Sequence, residues 1–420
     1  MSEPDQRSAA GVREPDRPSQ AGTERPERAE HPALAEFRSR TRRAMRIYAA
    51  VLVGLVVIGF VAVRLAYAHG ELSKVSFSTA PAPAGIAPQA TDTSLAQVWH
   101  SSDRPAGGTP YADGIVVGYS LHTVTGRDAQ TGAARWHYTR SDETVCSVVQ
   151  QDSTTIAIYQ RKGNCDEVTG FVTATGVAKW YRTLQDDGIS SVTSAPNVVL
   201  TVTDRSVHVF DNAGGLDRWN WPVPDGCTAS RALVGSLGVL ISLNCGAKHQ
   251  LVLRDEFKDS TKWTVDTPAA VVPIAATAFV GALDPTTGSI LRYTGPKGAV
   301  VTTGRLTDGF DVSALPRASA ALSETDGSGQ AAEFVFAARL YALSGAGSVA
   351  WSASATAAPS LVGDTLLAAP AGAGHVVLHR LDGGQAQLTS ELSPPPAADQ
   401  QAFQVGAGLL LAGADLAMYR

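Results

Sequence analysis

The chain has 420 residues, 44% of them apolar and 17% charged, with 34 Lys and Arg against 39 Asp and Glu. That length holds one large domain or two to three ordinary ones, and the apolar fraction suffices for a sizeable core. The charge balance leaves no footprint for nucleic acid, and 40 glycines with 23 prolines point to turn-rich β structure rather than helix.

Residues 1–46 hold ten arginines, eight acids and no lysine. Residues 1–45 carry almost no large apolar side chain before Leu34, so they read as a disordered tail. The run Ile47 to Val63 is free of charge for 17 residues. As a helix it spans roughly 26 Å, close to the thickness of a bilayer core. Arg46 and Arg64 bracket it, and Tyr48 and Tyr67 stand where interfacial aromatics are expected. We read residues 46–68 as a single transmembrane helix acting as an uncleaved signal anchor. The alternative is cleavage after Ala68, because Ala66–Tyr67–Ala68 resembles a signal-peptidase site. Arg38, Arg40, Arg42, Arg43 and Arg46 lie upstream with no acid after Glu36. The positive-inside rule therefore puts the N-terminus in the cytoplasm and the bulk of the chain outside the plasma membrane. Residues 69–94 are rich in Pro and Ala and read as an extended linker.

Residues 95–420 repeat. Tryptophans at 99, 136, 180, 219, 221, 263 and 351 step from 136 by 44, 39 and 44 residues, and then by twice 44. A step of about 40 residues is the size of one four-stranded propeller blade. Between these marks, alternating Val/Ile/Tyr-rich runs are separated by Gly/Asp/Asn clusters, the pattern of strands and hairpins. Ala299 to Leu306 and Ala386 to Leu392 complete the series where tryptophan is missing. The C-terminal segment from Gln404 reads as two inner strands without an outer one, and Leu95 to His100 as an outer strand without a blade. Joining the two through Trp99 closes the ring. The marks total eight blades, with seven as the alternative.

Four cysteines form two matched pairs, Cys146 with Cys165 and Cys227 with Cys245, 19 and 18 residues apart. Their even number in an exported domain favours disulfides, and no CxxC spacing supports zinc or redox chemistry. Cys146 lies 34 residues before Trp180 and Cys227 lies 36 before Trp263. The pairs thus read as staples at equivalent places in two repeats, with other connectivities formally open.

The stretch DAQTGAARW, residues 128–136, carries Asp128, Thr131, Gly132 and Trp136. Weaker copies keep Thr175, Gly176 and Trp180; Asp211, Gly215 and Trp219; Trp263; and Gly347 with Trp351. This pattern resembles the repeat of PQQ-like β-propellers, found in quinoprotein dehydrogenases and BamB-type envelope propellers. The resemblance covers residues 95–420 and implies a β-propeller; with the count of marks and the apolar run, the expected fold is an all-β, eight-bladed propeller of four-stranded antiparallel blades behind one N-terminal transmembrane helix. A further copy, DPTTGSILR at 284–292, fits the pattern but falls out of step.

Chemistry is hard to find. The dehydrogenases this repeat resembles use a vicinal cysteine pair and a carboxylate cluster for calcium, and neither is present. His375 and His379 share a strand face without a carboxylate beside them, and Thr325 to Glu333 lacks the repeated acids of a calcium loop. No Gly-x-Ser-x-Gly elbow occurs. The repeat Asp and Thr read as turn residues and the Trp as packing between blades. We therefore expect no catalytic, cofactor or metal residues. The expected partners are the lipid bilayer, through the helix, and other envelope proteins, with the chain itself a monomer. An enzyme or a ligand sensor using the central channel is the alternative. Purified protein soaked with PQQ and calcium is expected to develop no quinone absorbance; tight uptake would favour the enzyme.

Overall fold

The computed structural model describes residues 32–69, 71–87, 89–184, 188–306, 321–325, 331–336, 339–362, 366–372, 374–396 and 400–420. The chain divides into two compact units, residues 1–70 and 71–420. The described residues of the first form one helix, Pro32–His69. It starts earlier than the expected 46, so residues 32–45 are helical rather than disordered. Proline suits the first helical position, and the Ala, Leu, Glu and Arg that follow are good helix formers. The window Ile47–Arg64 is long and apolar enough to cross a membrane, and its side chains are exposed.

Apart from one 3-10 turn at Glu71–Lys74, the regular structure of the second unit's described residues is β. Its described strands form seven hydrogen-bonded sheets, one of which is eight-stranded and consists of two four-stranded halves. The sheets thus fall into consecutive units, each an antiparallel meander. Unit 1 runs from an interrupted first strand at Arg104–Pro105 and Tyr111–Ala112 through Ile115–Tyr119 and Thr123–Asp128 to Ala134–Arg140. Units 2 to 7 cover 144–183, 191–222, 228–267, 272–305, 321–353 and 360–393. Unit 8 combines Gln401–Val405, Gly408–Ala412 and Leu416–Tyr419 with Ser94–Ser101 from the beginning of the domain. The C-terminal segment supplies three strands, not the two expected.

Core side chains tie each unit to the next. Trp136 and Val117 of unit 1 pack with Tyr159 and Phe171 of unit 2, and Leu200 and Trp219 of unit 3 pack with Ile241 and Val252 of unit 4. Trp99 and Met418 of unit 8 pack with Val116 and Ala129 of unit 1, so the order is cyclic. This is the architecture of a β-propeller.

The third and fourth strands of most units share one irregularity. A bulge falls beside the pairs Gly126–Trp136, Gly170–Trp180, Val209–Trp219, Leu253–Trp263 and Ala342–Trp351. The extra residue twists the outer strand and re-aims the indole. Two of the facing residues are glycine because the ring lies on them. A Cβ at Gly126 would sit 2.1 Å from the Trp136 ring, and one at Gly170 would sit 2.3 Å from Trp180.

Residues 75–93 correct the expected free linker. Val75–Ser78 pairs antiparallel with His137 to Arg140 along the outer edge of unit 1. Beyond it, Ala80 N–H donates to Thr175 O, Arg135 donates to Pro81 O, and Gln89 N–H donates to Gly406 O. Ile86 packs into the junction of units 8 and 1. The segment is therefore a strap seated on the propeller. The same economy of edges shows inside unit 1, where Gly107–Gly108 leaves the first strand and pairs in parallel with Val149 and Gln150 of unit 2.

Gly126→Ala is expected to destabilise the domain by roughly 1–3 kcal/mol through overpacking. Gly345→Ala is the control, since a Cβ there meets nothing within 4 Å. Thermal melts of the two variants should differ clearly, and equal melting temperatures would refute the packing account.

Candidate functional site

The repeat residues make one contact over and over. Five indole N–H groups donate to a backbone carbonyl in the third-to-fourth-strand turn of the next unit. Trp99 donates to Ala129 O at 3.0 Å, Trp136 to Thr173 O at 2.8 Å, Trp180 to Asn212 O at 3.2 Å, Trp219 to Asp255 O at 3.0 Å and Trp351 to Leu381 O at 3.2 Å. The ring then covers the glycine of that turn. A Cβ at Gly132, Gly176, Gly215 or Gly384 would lie within 2.7 Å of Trp99, Trp136, Trp180 or Trp351 respectively. These glycines also have φ between 63° and 72°, a region that disfavours a side chain. Trp263 stacks on Tyr293 at 5.6 Å between centroids.

The turn residues act locally. Asp128 Oδ1 accepts from the N–H groups of Gln130 and Thr131 and from the Thr131 hydroxyl, an Asx turn. Asp211 Oδ1 accepts from Gly214 N–H, and Thr175 Oγ1 accepts from Val177 N–H. Asp255 does the same for Phe257 and Lys258 in unit 4, a turn without the Thr-Gly pair. The aspartate eight residues before Trp263 was the available signal for that turn. In unit 5 no indole is present. Thr303 instead donates its hydroxyl to Gly347 O at 2.8 Å, and Phe279 lies against Gly347. The out-of-step DPTTG copy sits at Asp284 to Gly288, in the turn between the second and third strands of unit 5. It has the same turn chemistry in a different hairpin.

The repeat residues thus form a ring of contacts between units and do not converge on one pocket. The two ends of that ring differ. One end carries the first-to-second and third-to-fourth strand turns, none longer than six residues, and the strap crosses it over units 2, 1 and 8. The other end carries the remaining connections, whose lengths run from two residues at 102–103 to fifteen between Arg305 and Ala321.

Both disulfides brace this second end. Cys146–Cys165 joins the first strand of unit 2 to its third, and Cys227–Cys245 joins the start of the first strand of unit 4 to the end of its second. The first cysteines correspond and the second ones do not, so the staples are not fully equivalent. Near the first staple lies a buried polar layer between units 1 and 2. Arg140 pairs with Glu143, and Arg161 pairs with Glu167, whose carboxylate is fully buried and also accepts from Thr183. Glu143 Oε2, Glu167 Oε2 and the Tyr159 hydroxyl have no hydrogen-bond partner among the described residues. Burial holds the Glu143 carboxyl above its ordinary pKa against the pull of Arg140, and Asp142 and Glu167 add to the rise.

No cluster of His, Cys, Asp and Glu suited to a metal occurs among the described residues. His379 stacks on Trp351 and bonds Gly384 O through Nδ1, and His375 stands four residues away on the same strand, opposite Glu391 of the neighbouring strand. In the Thr325 to Glu333 stretch, residues 326–330 lie outside the described residues.

No family model matches the sequence, and comparison with curated proteins gives no match. Solved structures do match. The computationally designed Ika8 protein aligns at a TM-score of 0.53 and 11% identity, over 78% of this chain and 99% of that one. Sqt1 of Saccharomyces cerevisiae aligns at 0.51 and 12% identity, over 81% and 98%. BamB of Moraxella catarrhalis aligns at 0.48 and 16% identity, over 78% and 99%. At such identities the likeness concerns the fold alone.

A carboxyl whose folded pKa is raised binds its proton more tightly in the folded state. Its penalty is present above the raised folded value and vanishes below the ordinary carboxylate range. Wild-type stability is therefore expected to rise relative to Glu143→Gln as pH is lowered from neutrality through the raised folded value to the ordinary carboxylate range, about 4. A pH-independent gap between their melting temperatures would refute the assignment.

Proposed function

We propose that this chain is a membrane-anchored, extracytoplasmic, eight-bladed propeller of the PQQ-like repeat type that binds or scaffolds other envelope proteins. The observation that carries the reading is the asymmetry of the two ends. One end is crossed by the strap, while the other displays unequal loops on a rigid ring braced by two disulfides. Loops held by a stiff scaffold are where recognition commonly resides. Eight blades are supported by the cyclic packing in which unit 8 meets unit 1. The PQQ-like reading rests on the sequence pattern around Trp136 and its copies.

The anchor reading is supported by the apolar window Ile47–Arg64 and by a helix that runs without a break through Ala66–Ala68. The proposed domains are residues 1–45 in the cytoplasm, 46–68 as signal anchor, 69–94 as connector and strap, and 95–420 as propeller. The repeat residues are assigned to structure and none to catalysis, and the chain is read as a monomer.

Two measurements on intact cells test this. Protease added outside should reach the chain beyond residue 70 and leave the N-terminal tail intact; the reverse pattern would invert the topology. A photoreactive residue at Leu121, which is 65% exposed in a loop of the braced end, should crosslink to a specific envelope protein. Labelling of lipid or solvent alone would count against the protein-binding role.

A further inference from the structure

Outer strands of a propeller have one free edge each, and a free edge invites pairing with another chain. Most edges here are guarded. The outer strand of unit 1 is covered by Val75–Ser78, and that of unit 7 is joined in parallel by Ser94 to Ala96. The outer strands of units 2, 3 and 4 carry Lys179 and Arg182, Asp217, Arg218 and Pro222, and Lys262 and Asp266. That of unit 6 is short, Val349–Ala353.

Among the described residues, the outer strands of units 5 and 6 both lack an internal charge and a neighbour on the outer side, and that of unit 5 is the longer. The unit 5 strand, Ala299–Arg305, runs seven residues with no charge before the terminal arginine. It ends its sheet, and among the described residues nothing pairs with its outer side. Val300 and Val301 are 56% and 53% exposed, so the strand shows apolar surface on both faces. Three residues beyond the turn glycine, where units 1 to 3 have Arg135, Lys179 and Arg218, unit 5 has Val301.

The chain itself shows what such an edge accepts. Val75–Ser78 is an extended, uncharged, β-prone segment that adds antiparallel to the equivalent edge of unit 1. We infer that the outer edge of Ala299–Arg305 is a docking site for an uncharged extended segment of another envelope protein, added antiparallel as a further strand. Backbone hydrogen bonds would supply affinity, and Val300 and Val301 would contact alternate side chains on its two faces. The inference rests on the protein-binding role proposed above and places one partner on the ring's side rather than its end.

The test uses the full chain in its native membrane, with p-benzoylphenylalanine replacing Val300 and, separately, Leu121. The expected result is a crosslink from residue 300 to a charge-free extended segment of a different protein, mapped by mass spectrometry. Val301→Lys should lower its yield roughly tenfold by restoring a guarded edge. Lys179 and Lys262 occupy exposed outer-strand sites in sister units, so the variant should fold, and an unchanged melting temperature checks this. Amide exchange over residues 299–305 gives an independent reading: slow in membranes, fast after purification. A crosslink to a second copy of this chain, a crosslink that persists undiminished in folded Val301→Lys, or fast exchange in both settings overturns the site. Crosslinks from 121 without any from 300 overturn the edge and leave the protein-binding role standing; none from either overturns both.

Discussion

The contact on which the structure depends is an indole reaching across to the turn of the next unit. It combines a hydrogen bond, worth about 1 kcal/mol net, with burial of a large aromatic surface. Its geometry is demanding. The ring must lie flat on a backbone, which requires glycine in the receiving turn at Gly132, Gly176, Gly215 and Gly384. In units 1 and 2 it also requires glycine beneath the ring, at Gly126 and Gly170. The bulge beside each of these tryptophans supplies the twist that aims it. A change at any of these places is felt in two units at once.

A ring built from neighbour contacts must still close, and here the two ends of the domain close it together. Ser94–Ser101 completes the unit begun by the last three strands, and Trp99 makes the same contact with unit 1 that Trp136 makes with unit 2. The strap lies directly before that closing strand. Its pairing along unit 1 and the insertion of Ile86 at the seam between units 8 and 1 cover the place where the ring is assembled from distant parts of the chain. Unit 5 departs from the pattern. Without an indole it relies on Thr303 and Phe279 against Gly347, and its outer strand keeps a longer bare edge than that of unit 6.

Much of this was legible before any coordinates. The spacing of tryptophans and the Asp-x-x-Thr-Gly turns reflect local chemistry, since an Asx turn and a positive-φ glycine are decided by four or five neighbouring residues. The out-of-step DPTTG copy shows the limit of that reading. The same local turn serves either hairpin, and only its place in the meander tells which one it closes. The cysteine pairs show it too. Their matched spacing suggested equivalent staples, yet the second strand of unit 2 ends before Cys165 while that of unit 4 ends at Cys245. The bridges therefore join different strands.

The sequence by itself determined the apolar helix, the repeat and the turn residues, because each depends on short-range pattern and composition. Tertiary structure decided the seat of the strap, the guarding of outer edges and the buried Arg140–Glu143 and Arg161–Glu167 pairs. A Pro/Ala segment has the same composition whether it hangs free or lies in a groove. An edge strand reads like any other strand until its neighbours are known. The partners Arg140–Glu143 and Arg161–Glu167 stand only three and six residues apart, but the burial of Glu143 and Glu167 depends on the strands packed over them.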